Sequence, residues 1–167
     1  DEILIEKQAH GFLTLDRFVD GDNLWLLATG TGLAPFLSML QDFEVWQRFE
    51  RIVLVYSVRT EDELAYTDLL NEILTRDYVA QYAHKLTFVP VVTREEVGGC
   101  LQARITDALE SGALEHHVGL TMQAQSSRVL LCGNPQMVED CRMLLQKRDM
   151  QLSLTRRPGA VAVENYW

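Results

Sequence analysis

The sequence lacks any apolar run near the ~20 residues that a membrane span needs, and it shows no signal-peptide pattern. Its three cysteines form no CxxC pair, and no histidines or cysteines have metal-ligand spacing. Basic residues are scarce, since 15 Lys and Arg against 24 Asp and Glu give a net charge of −9. These absences predict no metal, no nucleic-acid partner, no membrane partner and a reduced, cytoplasmic setting.

The chain starts at Asp1 and has no initiator methionine, so we expect a fragment or a processed chain. A length of 167 residues with 47% hydrophobic content is enough for one α/β domain with a real core. Residues 1–19 resemble two short β-strands that would belong to a larger sheet, and a polar break at 20–23 suggests a domain boundary after residue 22. We therefore expect one domain at 23–167.

Within 23–167, apolar runs alternate with amphipathic stretches, which is typical of a doubly wound parallel sheet of five strands. Pro90 indicates that the third strand lies at an edge or contains a bulge. Gly112 is expected to end a short helix, and Asn134 and Pro135 to begin a long one. The predicted strands are 24–28, 52–58, 86–92, 128–133 and one near 150–154, and the predicted helices are 33–48, 61–82, 103–111 and one that follows Asn134.

A glycine-rich turn joins the first predicted strand to the first predicted helix. Such turns bind phosphate because unpaired N–H groups and the helix dipole favour an anion. We expect the glycines to let the backbone approach a pyrophosphate, and the threonines to add hydroxyl donors. Proline fits the first helical turn, where no N–H partner is needed. The residues in question are Thr29, Gly30, Thr31, Gly32 and Pro35.

Arginine follows the second predicted strand at Arg59, where NAD-binding proteins usually carry an acidic residue for the ribose 2′-hydroxyl. A guanidinium suits a 2′-phosphate, so the sequence predicts NADP as the dinucleotide. Arg94 follows the third strand and Arg104 precedes the next helix, so both are expected to converge on the same anion.

Cys132 ends the fourth predicted strand, on the same edge of the sheet. A thiol there is suited to lie beside a nicotinamide ring without acting as a base, although a buried structural cysteine is the simpler interpretation. Trp167 ends the chain and offers a large π-face for a planar cofactor such as flavin, or else docks in an apolar groove. Acidic residues 61–63 are interpreted as a solvated helix face.

Taken in order, these motifs resemble the NADP-binding half of bacterial ferredoxin–NADP reductases, with a Rossmann-like fold. The segment 29–36 resembles that family's pyrophosphate loop, and the three arginines resemble its 2′-phosphate ligands. The segment Leu131–Met137 resembles its nicotinamide-side motif, which brings Gly133, Asn134 and Met137 into the cofactor site. Tyr166 and Trp167 resemble the terminus of the bacterial branch, whose last aromatic packs on the flavin.

The resemblance implies an FAD-binding antiparallel barrel before this domain, of which residues 1–22 would be the last strands. No Arg-x-Tyr-Ser motif of that barrel occurs in the sequence. It also implies that the full enzyme passes a hydride between NADPH and FAD and single electrons to ferredoxin or flavodoxin. The 167 residues alone are then expected to be inactive. Loss of the barrel would expose an apolar face, and the oligomeric state stays open.

Three other interpretations remain open at this point. The first is the NAD(P)H-binding module of another flavin reductase, of the oxygenase-reductase or flavohaemoglobin type. A preference for NADH would favour this interpretation. The second is a non-catalytic dinucleotide-binding or interaction module, which would bind AMP and 2′-phospho-AMP equally weakly. The third is a plain structural α/β domain, which would bind neither.

Overall fold

The computed structural model describes residues 13–165. Five parallel strands form a single sheet in the order β3-β2-β1-β4-β5. The fold class predicted from the sequence, an α/β doubly wound parallel sheet of five strands, is confirmed. The strands are β1 (Asn23–Thr29), β2 (Arg51–Val58), β3 (Leu86–Val92), β4 (Ser127–Gly133) and β5 (Val161–Asn165).

Helices cover both faces of the sheet because the strands carry apolar residues on both faces, and these must be buried. Alternate residues of β1 point to opposite layers: Leu24 and Leu26 pack with the first helices, and Trp25 and Leu27 pack with the later ones. The first layer holds α1 (Ala34–Leu40), α2 (Phe43–Arg48), α3 (Thr67–Thr75) and α4 (Asp77–Ala80), and the second holds α5 (Ile105–Glu110), α6 (Ala113–Val118) and α7 (Pro135–Gln146).

Two long predicted helices are broken in the structure. The stretch 33–48 is a 3₁₀ turn followed by α1 and α2, because the carboxylate of Asp42 accepts the N–H of Glu44 and starts a new helix. The stretch 61–82 is broken because Tyr66 adopts a left-handed conformation, with φ 68°, and Arg76 is extended. Local capping and backbone conformation therefore override the apolar periodicity.

The last strand was placed wrongly by the sequence, which predicted it near 150–154. Residues 152 and 154 form only isolated bridges, and Val161–Asn165 pairs with β4 instead. Helix α6 was not predicted. The edge position of Pro90, the stop at Gly112 and the start of α7 at Asn134 and Pro135 are as predicted.

The segment before the sheet packs onto the first layer. Leu13, Leu15 and Phe18 are buried there, and Leu15–Arg17 is a 3₁₀ turn where the sequence suggested a strand. The remainder of the predicted strand pair, in residues 1–12, lies outside the described residues. The domain boundary at residues 22 and 23 and the barrel remnant stay predictions.

A buried arginine ties this segment to the start of β4. Arg128 is only 5% exposed and donates to the carboxylate of Asp20 and to the carbonyls of Ala124 (2.9 Å) and Ser127 (2.6 Å). Gly21, with φ 109°, leaves room for it, since a Cβ there would lie 2.5 Å from Arg128 Cγ. The guanidinium therefore satisfies several acceptors that burial has removed from water.

Arg128→Met should lower the free energy of unfolding by about 2–3 kcal/mol, because two main-chain carbonyls lose their donor inside the protein. Asp20→Asn should cost less than about 1 kcal/mol, because the side chain of Asp20 is 68% exposed and water replaces the contact. Urea unfolding of both variants measures the difference. Equal losses would contradict the view that the carbonyl contacts dominate.

Candidate functional site

A cleft of about 1040 Å³ opens at the carboxyl ends of the strands. It lies where the strand order reverses, because β1 is flanked by β2 on one side and β4 on the other. Open α/β sheets bind ligands at such a switch point. Residues that follow four different strands line the cleft, among them Thr29, Gly30, Thr31, Arg59, Arg94, Arg104, Gly133, Asn134 and Met137.

The loop after β1 is a 3₁₀ turn, Gly30–Leu33, that continues into α1 with Pro35 in its first turn. Gly30 has φ 52°, and a Cβ there would meet nothing within 4 Å, so the chain presents bare backbone to open space. No side chain caps the 3₁₀ turn or α1. This is the geometry that close approach of an anion to the backbone requires.

Gly32 is placed beneath the cleft and not in its lining. It is buried, and a Cβ on it would lie 2.4 Å from the carbonyl oxygen of Cys132. The glycine is needed so that the β1 loop can pack on the β4 loop. Pro35 also lies outside the cleft lining.

The loop after β4 is joined to the end of β1 by Thr29. The N–H of Asn134 donates to Thr29 Oγ1 at 2.8 Å, and the Asn134 side chain accepts the N–H groups of Gln136 (2.9 Å) and Met137 (3.2 Å) at the start of α7. Gly133 has φ 130°, and a Cβ there would lie 2.2 Å from Thr29 Oγ1. The two loops therefore form one packed unit beneath the cleft.

Arg59, Arg94 and Arg104 all line this cleft together with Gly30, and their convergence on one anion stays a prediction. All three are exposed. Within residues 13–165, none of the three guanidinium groups forms an ion pair or a hydrogen bond. Their donors and charges are available to an anionic ligand.

Sequence reasoning missed several residues of the cleft. Glu63 belongs to a 3₁₀ turn, not to a solvated helix face, and its Oε2 accepts the N–H of Arg59 at 2.9 Å. The sequence pattern that could have indicated this contact is a carboxylate four residues after the arginine that ends a strand. Tyr66 lines the cleft and is 57% exposed, and no sequence pattern marks it. Other cleft residues that were missed are Tyr56, Ser57, Gln136 and Asp140.

Cys132 does not line the cleft and is completely buried in the first layer's core. Burial, and secondarily the charge of Glu164, raises the pKa of its thiol to about 11. The group is therefore a neutral thiol near pH 7. Its predicted place beside the nicotinamide stays a prediction.

Trp167, the predicted flavin-stacking residue, and Tyr166 lie outside the described residues. No group of three or more His, Cys, Asp or Glu within residues 13–165 is placed to hold a metal ion. No helix in that part of the chain is long and apolar enough to cross a bilayer.

Iodoacetamide at pH 8 should modify Cys100, which is half-buried, and leave Cys132 unmodified. Thiolate is the reactive form, and a pKa of about 11 keeps Cys132 protonated as well as shielded. Peptide mass spectrometry after a short pulse measures both sites, with urea-unfolded protein as the control for full labelling. Rapid labelling of Cys132 in the folded chain would show that its thiol is accessible.

Known proteins of similar sequence cover the whole of this chain. Flavodoxin/ferredoxin–NADP reductase of Shigella flexneri is 44% identical over all of this chain, which spans 66% of that protein. The protein of the same name from Buchnera aphidicola is 39% identical, again over the whole chain and 63% of the relative. The chain thus spans just under two thirds of the length of the curated relatives that it matches.

A solved structure of a ferredoxin NADP⁺ reductase from Neisseria gonorrhoeae, with bound FAD and NADP, superposes with a TM-score of 0.86 at 36% identity. The superposition covers 97% of this chain and 63% of that one. The family described as the oxidoreductase NAD-binding domain matches residues 26–143, which is more than half of the chain and includes β2, β3, β4 and the last four residues of β1. The chain therefore belongs to the oxidoreductase NAD-binding domain family.

Proposed function

We propose that the chain is the NADP-binding part of a ferredoxin/flavodoxin–NADP reductase. The observation that carries the proposal is the meeting of Arg59, Arg94 and Arg104 with the Gly30 loop in one cleft. A bare backbone loop suits a pyrophosphate, and a set of unpaired guanidinium groups suits an additional phosphate. The relatives named as NADP reductases agree with this choice of coenzyme.

The three arginines bind the 2′-phosphate that distinguishes NADP from NAD. The Gly30 loop holds the pyrophosphate, and Gly133, Asn134 and Met137 form the opposite wall of the cleft, toward the nicotinamide. The chain's own residues bind and orient the dinucleotide by shape and charge. Among residues 13–165 we identify no proton donor or acceptor for the reaction.

FAD belongs to the proposal only for the whole protein. The one flavin contact that the sequence predicted, Trp167, is outside the described residues, and we assign no residue of 13–165 to FAD. When bound, the flavin would accept a hydride from NADPH and pass single electrons to ferredoxin or flavodoxin. A cytoplasmic location is part of the same proposal, supported by three cysteines that form no disulfide.

Replacing any one of Arg59, Arg94 or Arg104 by alanine should weaken binding of 2′-phospho-AMP about 5–30-fold, because a charge-assisted hydrogen bond to phosphate is lost. AMP, which lacks the 2′-phosphate, should bind each variant about as well as the unchanged chain. Calorimetric titration of both ligands gives the ratio.

Arg142→Ala is the matched control for these variants. Arg142 lies outside the cleft on α7 and pairs with Glu139, so its loss changes the net charge equally without touching the ligand. Equal, weak binding of 2′-phospho-AMP and AMP by the unchanged chain would contradict the proposed NADP site and favour a non-catalytic module.

The purified 167-residue chain should be colourless and should not reduce ferricyanide with NADPH. The physical reason is that the 167 residues supply no Arg-x-Tyr-Ser flavin motif to retain the electron acceptor. Absorbance at flavin wavelengths and a ferricyanide assay measure both properties, with the assay repeated after addition of free FAD. A yellow, active chain would show that a flavin site is present within these residues.

A further inference from the structure

The phosphate end of the cleft is built from two neighbouring loops, the β2 loop (residues 59–63) and the β3 loop (residues 93–95). Main-chain bonds join them at the strand ends, where the N–H of Thr93 donates to Val58 O at 3.1 Å and the N–H of Arg94 donates to Arg59 O at 2.9 Å. The two arginines thus follow strands that are paired side by side, β2 and β3.

Beyond that point one side chain continues the connection between the loops. The Oε1 of Glu95 accepts the N–H of Glu61, across 34 positions of sequence. Glu63 braces the β2 loop from within, through its bond to the N–H of Arg59. The Arg59 main chain is therefore held at its N–H by Glu63 and at its carbonyl by the N–H of Arg94. Glu95 fixes the same loop two residues further on, at Glu61.

These carboxylates do not form ion pairs with the arginines beside them. Among the described residues neither Arg59 nor Arg94 has an ion-pair partner, although Glu63 and Glu95 lie in the same two loops. Each carboxylate accepts a main-chain N–H instead. Carboxylates placed in this way shape the loops and leave the guanidinium donors available.

We propose that Glu95 is a positioning residue that fixes the β2 loop so that Arg59 meets the 2′-phosphate, and that it thereby contributes to selectivity for NADP. This inference rests on the proposed function. Glu95 acts through Arg59 and does not touch the dinucleotide.

The direction of the effect separates this role from simple electrostatics. Glu95 is a negative charge near a site for a phosphate, so its removal should strengthen phosphate binding if charge alone matters. If Glu95 positions the Arg59 loop, its removal weakens binding of the 2′-phosphate. The two accounts therefore predict opposite signs.

The experiment titrates the 167-residue chain with 2′-phospho-AMP and with AMP by calorimetry. Glu95→Ala should weaken 2′-phospho-AMP about five-fold and leave AMP within about two-fold, as expected for the loss of one exposed hydrogen bond. Glu95→Gln keeps an oxygen acceptor of equal reach and should stay within about two-fold. Glu96→Ala, an exposed neighbour with no bond to the β2 loop, is the matched control.

Glu95→Asp gives a second test that keeps the charge but shortens the side chain by one methylene. It should behave like Glu95→Ala, because the acceptor no longer reaches the N–H of Glu61. In the Arg59→Ala background, Glu95→Ala should cause less than about half of its single-variant loss, since the two residues act together. Circular dichroism checks that each variant is folded, and the Asp and Gln pair decides the question if the alanine variant is not.

Unchanged or stronger 2′-phospho-AMP binding by Glu95→Ala and Glu95→Asp would overturn the inference and leave the NADP site intact. A different result, in which the unchanged chain binds 2′-phospho-AMP no tighter than AMP, would remove both the proposed function and the role of Glu95. The two failures are distinguished by the unchanged chain alone.

Discussion

The close contact between the loops after β1 and β4 is the constraint on which the cleft depends. Gly32 packs against the Cys132 carbonyl and Gly133 packs against Thr29, at distances that leave no space for a Cβ. The Asn134 N–H bond to Thr29 then fixes one loop on the other. A side chain at either glycine would separate the loops and alter the floor on which a dinucleotide would rest. These two glycines serve protein packing, and Gly30 is the one that faces open space.

Charge is distributed unevenly between the chain as a whole and its cleft. The chain carries a net charge of −9, yet three exposed arginines without ion-pair partners among the described residues meet at one place. Two carboxylates of the same loops, Glu63 and Glu95, contribute to this arrangement because they bind main-chain N–H groups and not the guanidinium groups. The net charge of the chain therefore governs its non-specific association with charged partners. Whether one cleft binds an anion depends on the local arrangement of charges and hydrogen bonds.

Strand order explains why much of the site could be predicted from sequence. Residues that follow parallel strands meet at one edge, so Arg59, Arg94 and the Gly30 loop had to be neighbours once three buried strands were recognised. The reason for Gly32 was not predictable, because it depends on the carbonyl of Cys132, which is distant in sequence.

The errors in the elements have equally local causes. The sequence did not predict strand β5 because the apolar run at 161–163 is short and also fits a tail that docks in a groove. The run is a strand because it pairs with β4. The long predicted helices broke at Asp42 and at Tyr66, where side-chain capping and a left-handed residue act against helical periodicity. Cys132 ends a strand, and successive strand residues point to opposite layers. The sequence alone therefore does not fix which face of the sheet its thiol occupies.

Pro90 has a consequence for how molecules of this protein meet at high concentration. It lies in the edge strand β3 and has no N–H to offer a neighbouring sheet. Its carbonyl accepts the N–H of Leu101 at 2.9 Å, and the N–H of Val92 donates to Leu101 O at 3.1 Å. The carboxyl half of this border is thus occupied by the chain itself, which protects it from the strand-by-strand stacking that turns open sheets into aggregates.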